Sequence, residues 1–294
     1  MKATGEDRLV ELLRKHMPLG GDVLVGPGDD CALVELDGAQ LLLKTDCVVE
    51  SVHFDAACQP ARVGRKALAR VLSDIAAMAG DPGPALVTVG ASELMDGDWL
   101  LEAYRGMEAL ATRFGVSLAG GESARMPGCG MLSVAMTSRV RRRPLLRSGG
   151  GNGDLLYVSG ELGGSLASGW HLDFEPRIHE AQWLARNFRP SAMLDLSDGL
   201  AADLPRLAAA SGTGFVIERG ALPLRAGCTP GQALSDGEDY ELLFAIPAAC
   251  GNQLEREWSR QFPRLALSCI GELRDGAHEE LGGGYDHFAR QASA

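Results

Sequence analysis

Hydrophobic and polar positions along this chain switch repeatedly between helical spacing and short apolar runs, which predicts helices and strands in alternation. The clearest helix covers residues 64–79, where Leu68, Val71, Leu72 and Ile75 fall on one face. Further helices are predicted at 4–16, 97–114, 177–189 and 248–261. Strands are predicted at 32–36, 39–45, 86–89, 116–119, 131–140, 155–159, 215–218, 241–246 and 267–271.

The pattern restarts after a charged and flexible stretch at residues 139–153, which holds three consecutive arginines and a glycine-rich run. We therefore predict two domains, 1–140 and 141–294. Strands and helices alternate in both of them, so each domain is expected to be α/β or α+β.

The stretch 193–203 (M-L-D-L-S-D-G-L-A-A-D) carries the strongest local signal. A short apolar strand that contains Asp195 ends at Ser197 and Asp198, and apolar residues at helical spacing follow. The ordinary interpretation is that Ser197 or Asp198 caps this helix. The alternative is that the carboxylates hold a cation beside a helix N-terminus that binds phosphate. Pro205 lies inside the helix, so the helix is expected to kink or to begin with a separate turn.

Composition limits the functions that this chain can have. Its formal net charge of −11 disfavours nucleic acid as a partner. An apolar content of 46% and a mean hydropathy of −0.01 are typical of a soluble protein. The sequence has no apolar run that could span a membrane and no signal-peptide core, so a cytoplasmic location is expected. Seven scattered cysteines without a C-x-x-C pair argue against a disulfide framework and against structural zinc.

Acidic residues recur at the ends of the predicted elements. They are Asp29, Asp30, Asp46, Glu122, Asp195 and Asp198, and Asp74 joins them from the edge of the apolar face of helix 64–79. Each has an ordinary explanation as a cap or turn residue, and Arg70 could pair with Asp74 one helical turn away. Together they predict an oxygen-lined Mg²⁺ site, because Mg²⁺ binds a few carboxylates plus substrate phosphates.

Common nucleotide-binding motifs are missing, since the sequence has no P-loop and no complete G-x-G-x-x-G. The turn G-E-L-G-G-S at 160–165 is the alternative phosphate cradle, although such turns also serve packing alone. Arg147, beside the glycine-rich linker, could reach a phosphate. His53 is explained equally well as a buried histidine under the hairpin formed by the first two strands.

Taken in order along the chain, these motifs resemble thiamine-monophosphate kinases. The matching segments are GPGDDCA (26–32), Thr45-Asp46, VESVHF (49–54), KALARVLSDIAAM (66–78), GGES (120–123), LRSGGGNGDLLYVS (146–159), LDLSDGLAAD (194–203), LSDGEDYELLF (234–244) and GYDHF (284–288). The resemblance covers nearly the whole chain and extends to the ATP-binding superfamily of aminoimidazole ribonucleotide synthetase. It implies an α/β (α+β) fold, with an N-terminal mixed sheet or half-barrel that pairs in a homodimer and a C-terminal α/β domain.

The resemblance also implies roles for single residues. The implied metal ligands are Asp30, Thr45, Asp46, Asp74, Glu122, Asp195 and Asp198. The implied ATP-binding residues are Tyr104, Gly121, Arg147 and Ser197, and the implied substrate-binding residues are His53 and Glu238. The residues implied to act in catalysis are Asp30, Asp74, Asp195 and Arg147.

The implied reaction is direct in-line transfer of the γ-phosphoryl group of ATP to thiamine monophosphate, supported by several Mg²⁺ ions. ATP and thiamine monophosphate are then the partners of this chain. The alternatives are a related ATP-dependent enzyme with a different acceptor and a non-catalytic nucleotide-binding relative.

The sequence departs from the family pattern at four positions. Lys44 stands where Ser or Thr is usual, and a lysine there replaces one cation or blocks its site. Glu122 stands where Asp is usual. Asp236 replaces a glycine and adds negative charge near the substrate, and Gly282 lies where an aromatic residue is usual.

Overall fold

Two β-sheets and the helices packed on them make up the computed structural model, which describes residues 5–276 and 279–285. The first sheet contains β1 (Val23–Val25), β2 (Ala32–Leu36), β3 (Ala39–Val49), β4 (Asp81–Ala91), β5 (Leu118–Arg125) and β6 (Met131–Arg139). The second contains β7 (Asp154–Ser159), β8 (Ala192–Asp195), β9 (Gly214–Ile217), β10 (Leu242–Pro247) and β11 (Leu267–Arg274). The strand orders are β1-β2-β3-β6-β4-β5 and β8-β10-β7-β11-β9.

Helices connect and cover the sheets. They are α1 (Glu6–Arg14), α2 (Pro60–Ala77), α3 (Gly97–Phe114), α4 (Ser165–Ser168), α5 (Trp170–Asp173), α6 (Ile178–Asn187), α7 (Leu200–Ser211), α8 (Pro230–Ser235) and α9 (Gly251–Gln261). Among the helices of the described residues, none combines the length and the apolar character that crossing a bilayer requires. The two-sheet α/β (α+β) architecture confirms the predicted fold class.

Helix α2 links the two halves of the molecule. It begins at Pro60, whose fixed φ and missing N–H suit the first helical position. It contacts α3, β3 and β6 of the first half and α5, α6 and β8 of the second. Gly64 and Gly106 let α2 and α3 approach closely, because a Cβ on either would lie 1.8 Å from a backbone oxygen of the other helix. Residues that α2 carries therefore reach both halves.

The hairpin of β2 and β3 forms around Asp37-Gly38, as the sequence predicts. Both residues have positive φ, 49° and 77°, which is the conformation that a two-residue turn of this kind needs. Strand β3 continues to Val49, beyond the predicted end at residue 45, because β6 pairs with it from Leu41 to Val49.

Alternation along β3 decides which side chains face α2. Leu42 and Val48 are fully buried. Lys44 and Asp46 lie between them at even spacing, so they point to the same face of the sheet. Thr45 points to the opposite, outer face. Two charged side chains therefore enter the space between the first sheet and α2.

The second sheet is buried on both faces. Tyr157 and Phe244 stack with ring centroids 5.7 Å apart and belong to the core that also holds α2. Val158 and Leu243 point the other way, into a second core with α7. β8 is an edge strand whose four residues are all buried, and it ends at Asp195. The edge position places this carboxylate at the border with the first half.

The structure corrects several details of the sequence prediction. The strand predicted at 116–119 begins at Leu118 and continues to Arg125, so Glu122 lies inside a strand. Helix α7 has no separate first turn, since it runs from Leu200 to Ser211 with Pro205 inside it and Gly199 as its N-cap, and the kink at Pro205 stays a prediction. The sequence missed β1 and α8 because they are short. Residue 4 of the first predicted helix and residues 286–288 of the last matching segment lie outside the described residues, and the domain boundary at 140/141 stays a prediction.

Candidate active site

Three buried aspartates from separate parts of the chain form one cluster. Asp30 precedes β2, Asp74 lies on α2 and Asp195 ends β8. One carboxylate oxygen of each lies within 4.8 Å of the others. The residues are 2%, 8% and 4% exposed. Carboxylates at positions 30, 74 and 195 thus converge after folding, as the sequence predicted.

This cluster is electrostatically unfavourable when it is fully ionised. Burial and the neighbouring Asp30 carboxylate raise the pKa of Asp195 to about 6. Burial also raises the pKa of Asp74 well above its ordinary range. Ser73 partly stabilises the site, since its hydroxyl donates a hydrogen bond of 2.5 Å to Asp195 Oδ2. A cation bound among the three carboxylates would offset their repulsion.

Side-chain cations of the chain itself surround the acidic residues. Lys44 Nζ lies 2.7 Å from Asp74 Oδ1. Arg147 Nη2 donates to Asp30 Oδ1 at 2.6 Å. Arg70 donates two hydrogen bonds, of 2.9 and 3.1 Å, to Asp46. The ordinary prediction that Arg70 pairs with Asp74 is therefore wrong, because Lys44 occupies that position from the sheet.

The donor set of the cluster fits Mg²⁺, which prefers carboxylate oxygens. Within residues 5–276 and 279–285, no hydrogen-bond donor reaches the buried Asp30 Oδ2. A buried carboxylate oxygen without a donor is costly in a folded protein. A metal ion would supply the missing partner.

A small pocket of about 60 Å³ collects the residues expected to bind substrate. Its lining comprises Val52, His53, Arg70, Leu166, Ser197, Asp198, Gly237, Glu238, Tyr240 and Tyr285. Arg70 also binds Asp46, so one side chain connects the pocket to the acidic region. A larger cleft of about 820 Å³, bordered by Trp170, Arg225 and Phe262, touches Gly160 and Glu161 of the predicted phosphate cradle but contains none of the residues implied to bind metal, ATP or substrate. We therefore take the smaller pocket as part of the candidate site.

Glu238 is held at this pocket by a buried network. Lys66 Nζ lies 2.6 Å from Glu238 Oε2, and Arg70 Nη1 lies 3.0 Å from Oε1. His171 Nδ1 lies 3.3 Å from Oε2. Burial alone would raise the pKa of Glu238, but its hydrogen bond with His171 and the charges of Lys66 and Arg70 hold it well below its ordinary range. Glu238 is thus fixed as a carboxylate that links the second half to α2.

Comparison with known proteins places this geometry in a family. The family described as "AIR synthase related protein, N-terminal domain" matches residues 28–140. The thiamine-monophosphate kinase of Rhodopirellula baltica is 36% identical over 76% of this chain and 76% of that protein. The chain belongs to the thiamine-monophosphate kinase family. The thiamine-monophosphate kinase of Aquifex aeolicus is 32% identical and covers 98% of this chain and 99% of its own length.

Solved structures of thiamine-monophosphate kinases share the fold. A structure described as AaThiL complexed with AMPPCP and TMP aligns with a TM-score of 0.82 at 29% identity. It covers 96% of this chain and 97% of that one. The thiamine-monophosphate kinase of Stenotrophomonas maltophilia K279a aligns with a TM-score of 0.75 at 30% identity and covers 94% and 96% of the two chains.

The structure groups most of the residues implied by the thiamine-monophosphate kinase family around two neighbouring centres. The acidic cluster is one, with Arg147 and Lys44 bound to it. The pocket is the other, and it collects His53, Ser197, Asp198 and Glu238. Asp46 lies beside them through its ion pair with Arg70. The roles of these residues stay predictions.

Four other implied residues lie on the sheet or on α3, away from the cluster. Strand pairing connects Asp46 through β6 and β4 to Gly121, three strands away, which is about 14 Å at ordinary strand spacing. By alternation, Thr45 and Glu122 point to the outer face, and the Glu122 carboxylate accepts a hydrogen bond from the next backbone N–H. Tyr104 is half-buried on α3. Their roles likewise stay predictions.

Two N–H groups of the glycine-rich turn at 160–165 are already bound to side chains and are not free for a phosphate. The N–H of Gly163 donates to Asp239, at 3.2 and 3.1 Å, and the N–H of Gly164 donates to Asp236 at 3.0 Å. The predicted phosphate cradle is therefore wrong, since its donors bind carboxylates of the chain. Asp236 accordingly serves to hold this turn.

The expected helix cap at Ser197 or Asp198 is also wrong, because Gly199 occupies the N-cap of α7. The Asp198 backbone N–H donates to Asp203 Oδ2 at 3.0 Å, and Arg206 binds both carboxylates. Burial and the Asp198 charge raise the pKa of Asp203 to about 8. Arg206 therefore holds the Asp198 side chain, which lines the pocket.

Sequence reasoning missed three residues that support the site: Lys66, His171 and Asp203. Lys66 is fully buried, and its Nζ contacts the His53 backbone oxygen, His171 and Glu238. A signal for it existed, because a lysine at position 66 interrupts the apolar face of α2 next to Val63 and Ala67. Asp203 closes the segment 194–203, and an acidic residue one turn into an apolar helix was the available hint.

Proposed function

We propose that this chain transfers the γ-phosphoryl group of ATP to thiamine monophosphate and so produces thiamine diphosphate. The observation that carries the proposal is the convergence of Asp30, Asp74 and Asp195 next to a pocket that holds His53 and Glu238. The relatives named thiamine-monophosphate kinase, and the relative complexed with AMPPCP and TMP, support the same substrates. Since ATP is the co-substrate, we assign the reaction to the cytoplasm.

The acidic cluster would hold Mg²⁺ through Asp30, Asp74 and Asp195, with Asp46 and Asp198 close by. Bound Mg²⁺ neutralises phosphate charge and orients the transferring group. The carboxylates themselves bind metal and do not need to accept a proton. The acceptor is a phosphate monoester with a second pKa of about 6, so it is largely ionised near neutrality.

Arg147 is the side chain best placed to stabilise charge on the transferring phosphoryl group. It engages Asp30 through Nε and Nη2, at 3.3 and 2.6 Å. Its backbone N–H contacts Asp29, so the segment that precedes β7 is fixed at the cluster. A guanidinium held in this way keeps its orientation and needs little rearrangement to bind a phosphate oxygen.

The direct test is the formation of thiamine diphosphate. We expect the purified chain to convert thiamine monophosphate with Mg-ATP, releasing one ADP per product, and we expect EDTA to abolish the reaction. Chromatography of the oxidised, fluorescent thiamine products measures the conversion. ADP release that requires another acceptor would favour a related enzyme, and ATP binding without turnover would favour a non-catalytic relative.

We further propose that two copies of the chain pair through the outer face of the first sheet. This face carries a groove of about 470 Å³ with an almost entirely apolar lining. Leu43 and Leu86 contribute to it and are 39% and 52% exposed. Exposed apolar surface of this kind is typical of an interface. A second copy bound to this face would also cover Thr45 and place its own side chains there.

Leu86→Arg is expected to convert a homodimer into a monomer. The two-fold symmetry of the interface would bury one unpaired arginine from each copy, and burying an unpaired charge is costly. Size-exclusion chromatography with light scattering measures the change. Leu101→Arg is the matched control, since Leu101 is also 52% exposed but lies on α3. A wild-type chain that is monomeric at micromolar concentration would contradict the homodimer.

A further inference from the structure

Lys44 is positioned inside the acidic region and not at its edge. It enters from β3 on the face that packs against α2, between the buried Leu42 and Val48. Its side chain is only 22% exposed, and its Nζ lies 2.7 Å from Asp74 Oδ1. The long lysine stem thus carries the ammonium group to the carboxylate that α2 supplies to the cluster.

Asp74 has three like-charged neighbours in the acidic region. It lies in electrostatic reach of Asp30, Asp46 and Asp195. Arg147 binds Asp30 and Arg70 binds Asp46, so the cation bound to Asp74 is Lys44. Asp30, Asp46, Asp74 and Asp195 thus face three permanent cations, one of which also binds Glu238, so the region stays negatively charged before any metal binds.

An ammonium group can stand in for a metal ion at such a position. It is a compact point charge with three donors, and its contact distance to a carboxylate oxygen is short. A divalent ion that also used Asp74 Oδ1 would approach the same oxygen and meet the Lys44 charge directly. The ammonium and that ion therefore compete for one place.

We propose that the Lys44 ammonium takes the place of one divalent cation at Asp74, so that this chain binds one metal ion fewer than its acidic residues could hold. This inference rests on the proposed function, because the metal ions that it counts would serve the proposed phosphoryl transfer. It makes part of the charge compensation at the phosphates a permanent feature of the chain. The remaining metal sites would use Asp30, Asp195 and the second carboxylate oxygen of Asp74, since Lys44 binds Oδ1.

The test counts metal ions directly. Equilibrium dialysis against Mn²⁺, with AMPPCP present and metal analysis of the retained protein, gives the number of ions bound per chain. We expect Lys44→Ser to bind one Mn²⁺ more than the wild type, because a hydroxyl and a free Asp74 oxygen replace the ammonium. Lys44→Arg keeps the charge and is expected to match the wild type. Lys15→Ser, at the exposed C-cap of helix α1, is the unrelated lysine control.

Thermal unfolding gives a second readout that does not depend on activity. Without metal, Lys44→Ser should have a lower Tm than the wild type, since Asp74 loses its partner. Adding Mg²⁺ should raise the Tm of the variant by several degrees more than that of the wild type. If Lys44→Ser fails to fold, Lys44→Gln serves the same comparison.

Equal Mn²⁺ counts and equal Mg²⁺-dependent Tm shifts in wild type and variant would overturn the inference. The experiments also distinguish a failure of this inference from a failure of the proposed function. A wild type that makes thiamine diphosphate but gains no metal on substitution of Lys44 refutes the inference alone. A difference of one ion without any thiamine diphosphate formation supports the inference and removes the proposed acceptor.

Discussion

Asp195→Asn is expected to lower phosphoryl transfer about 10³-fold, or about 4 kcal/mol in transition-state stabilisation, while it raises the free energy of unfolding of the metal-free protein. Activity falls because the cluster loses one of its three negatively charged carboxylate ligands. Stability rises because the substitution removes one of three buried like charges, and an amide keeps the shape and the hydrogen bond from Ser73. A merely structural aspartate would not move the two quantities in opposite directions.

The stability gain should depend on pH in a defined direction. Burial and Asp30 raise the pKa of Asp195 from an ordinary 3.8 to about 6. The folded state therefore holds this proton more tightly than the unfolded state, and ionisation costs stability as the pH rises from 4 to 6. We expect the unfolding free energies of variant and wild type to be similar near pH 4 and to differ by about 3 kcal/mol at pH 7 and above.

Urea unfolding of metal-free protein at several pH values measures this difference. Glu108→Gln is the control, because Glu108 is exposed on α3 and should change neither activity nor the pH profile. An Asp195→Asn variant that keeps wild-type activity at saturating Mg²⁺ would remove Asp195 from the metal site. A variant that is less stable at every pH would show that the cluster is not repulsive without metal.

Lys66→Met is expected to cost about 3–5 kcal/mol of folding stability at pH 7, because it removes one partner of a buried ion pair. Lys66 is fully buried, and its Nζ contacts Glu238, the His53 backbone oxygen and His171 Nδ1. Methionine fills the volume but removes the donor at Glu238 Oε2 and at the His53 backbone oxygen, while Arg70 stays bound to Glu238 Oε1. The KM for thiamine monophosphate should also rise, since Glu238 and His53 border the pocket.

The exposed pair Lys15–Glu11 provides a matched control for the buried one. Its atoms are 3.3 Å apart and its side chains are 64% and 65% exposed, so Lys15→Met should change stability by less than about 0.5 kcal/mol. The double variant Lys66→Met/Glu238→Gln should recover part of the stability, because a neutral amide does not need the ammonium that Lys66 supplies at Glu238 Oε2. Denaturant unfolding tests both expectations. A loss below about 1 kcal/mol for Lys66→Met would contradict the assigned role of the pair.

Local patterns were sufficient to predict much of the fold. The hairpin turn was predicted correctly at Asp37-Gly38, and helix α3 was predicted with both of its ends correct. Both predictions succeeded because turn chemistry and apolar periodicity are local properties. The short elements β1 and α8 escaped prediction, since three to six residues hold too little periodicity. The length of β5 depends on pairing with β4, which lies far away in sequence.

For the candidate site, too, one part was predictable from local sequence and another part was not. The recurring acidic residues gave seven candidates from sequence alone, three of which form the cluster, and the order of the motifs indicated the family. Which carboxylate each cation binds followed only from the tertiary structure. Lys44 and Arg70 illustrate this, because the i+4 spacing favoured Arg70 for Asp74, whereas packing of β3 against α2 gives Asp74 to Lys44.

The sequence by itself therefore determined the kinds of elements, the acidic chemistry and the family of this protein. Only the tertiary structure decided the ion-pair partners, the burial of Lys66 and the use of the glycine-rich turn for binding Asp236 and Asp239. The physical reason is distance along the chain. Periodicity and capping act over a few residues, whereas Asp30, Asp74 and Asp195 meet only after both sheets have packed on α2.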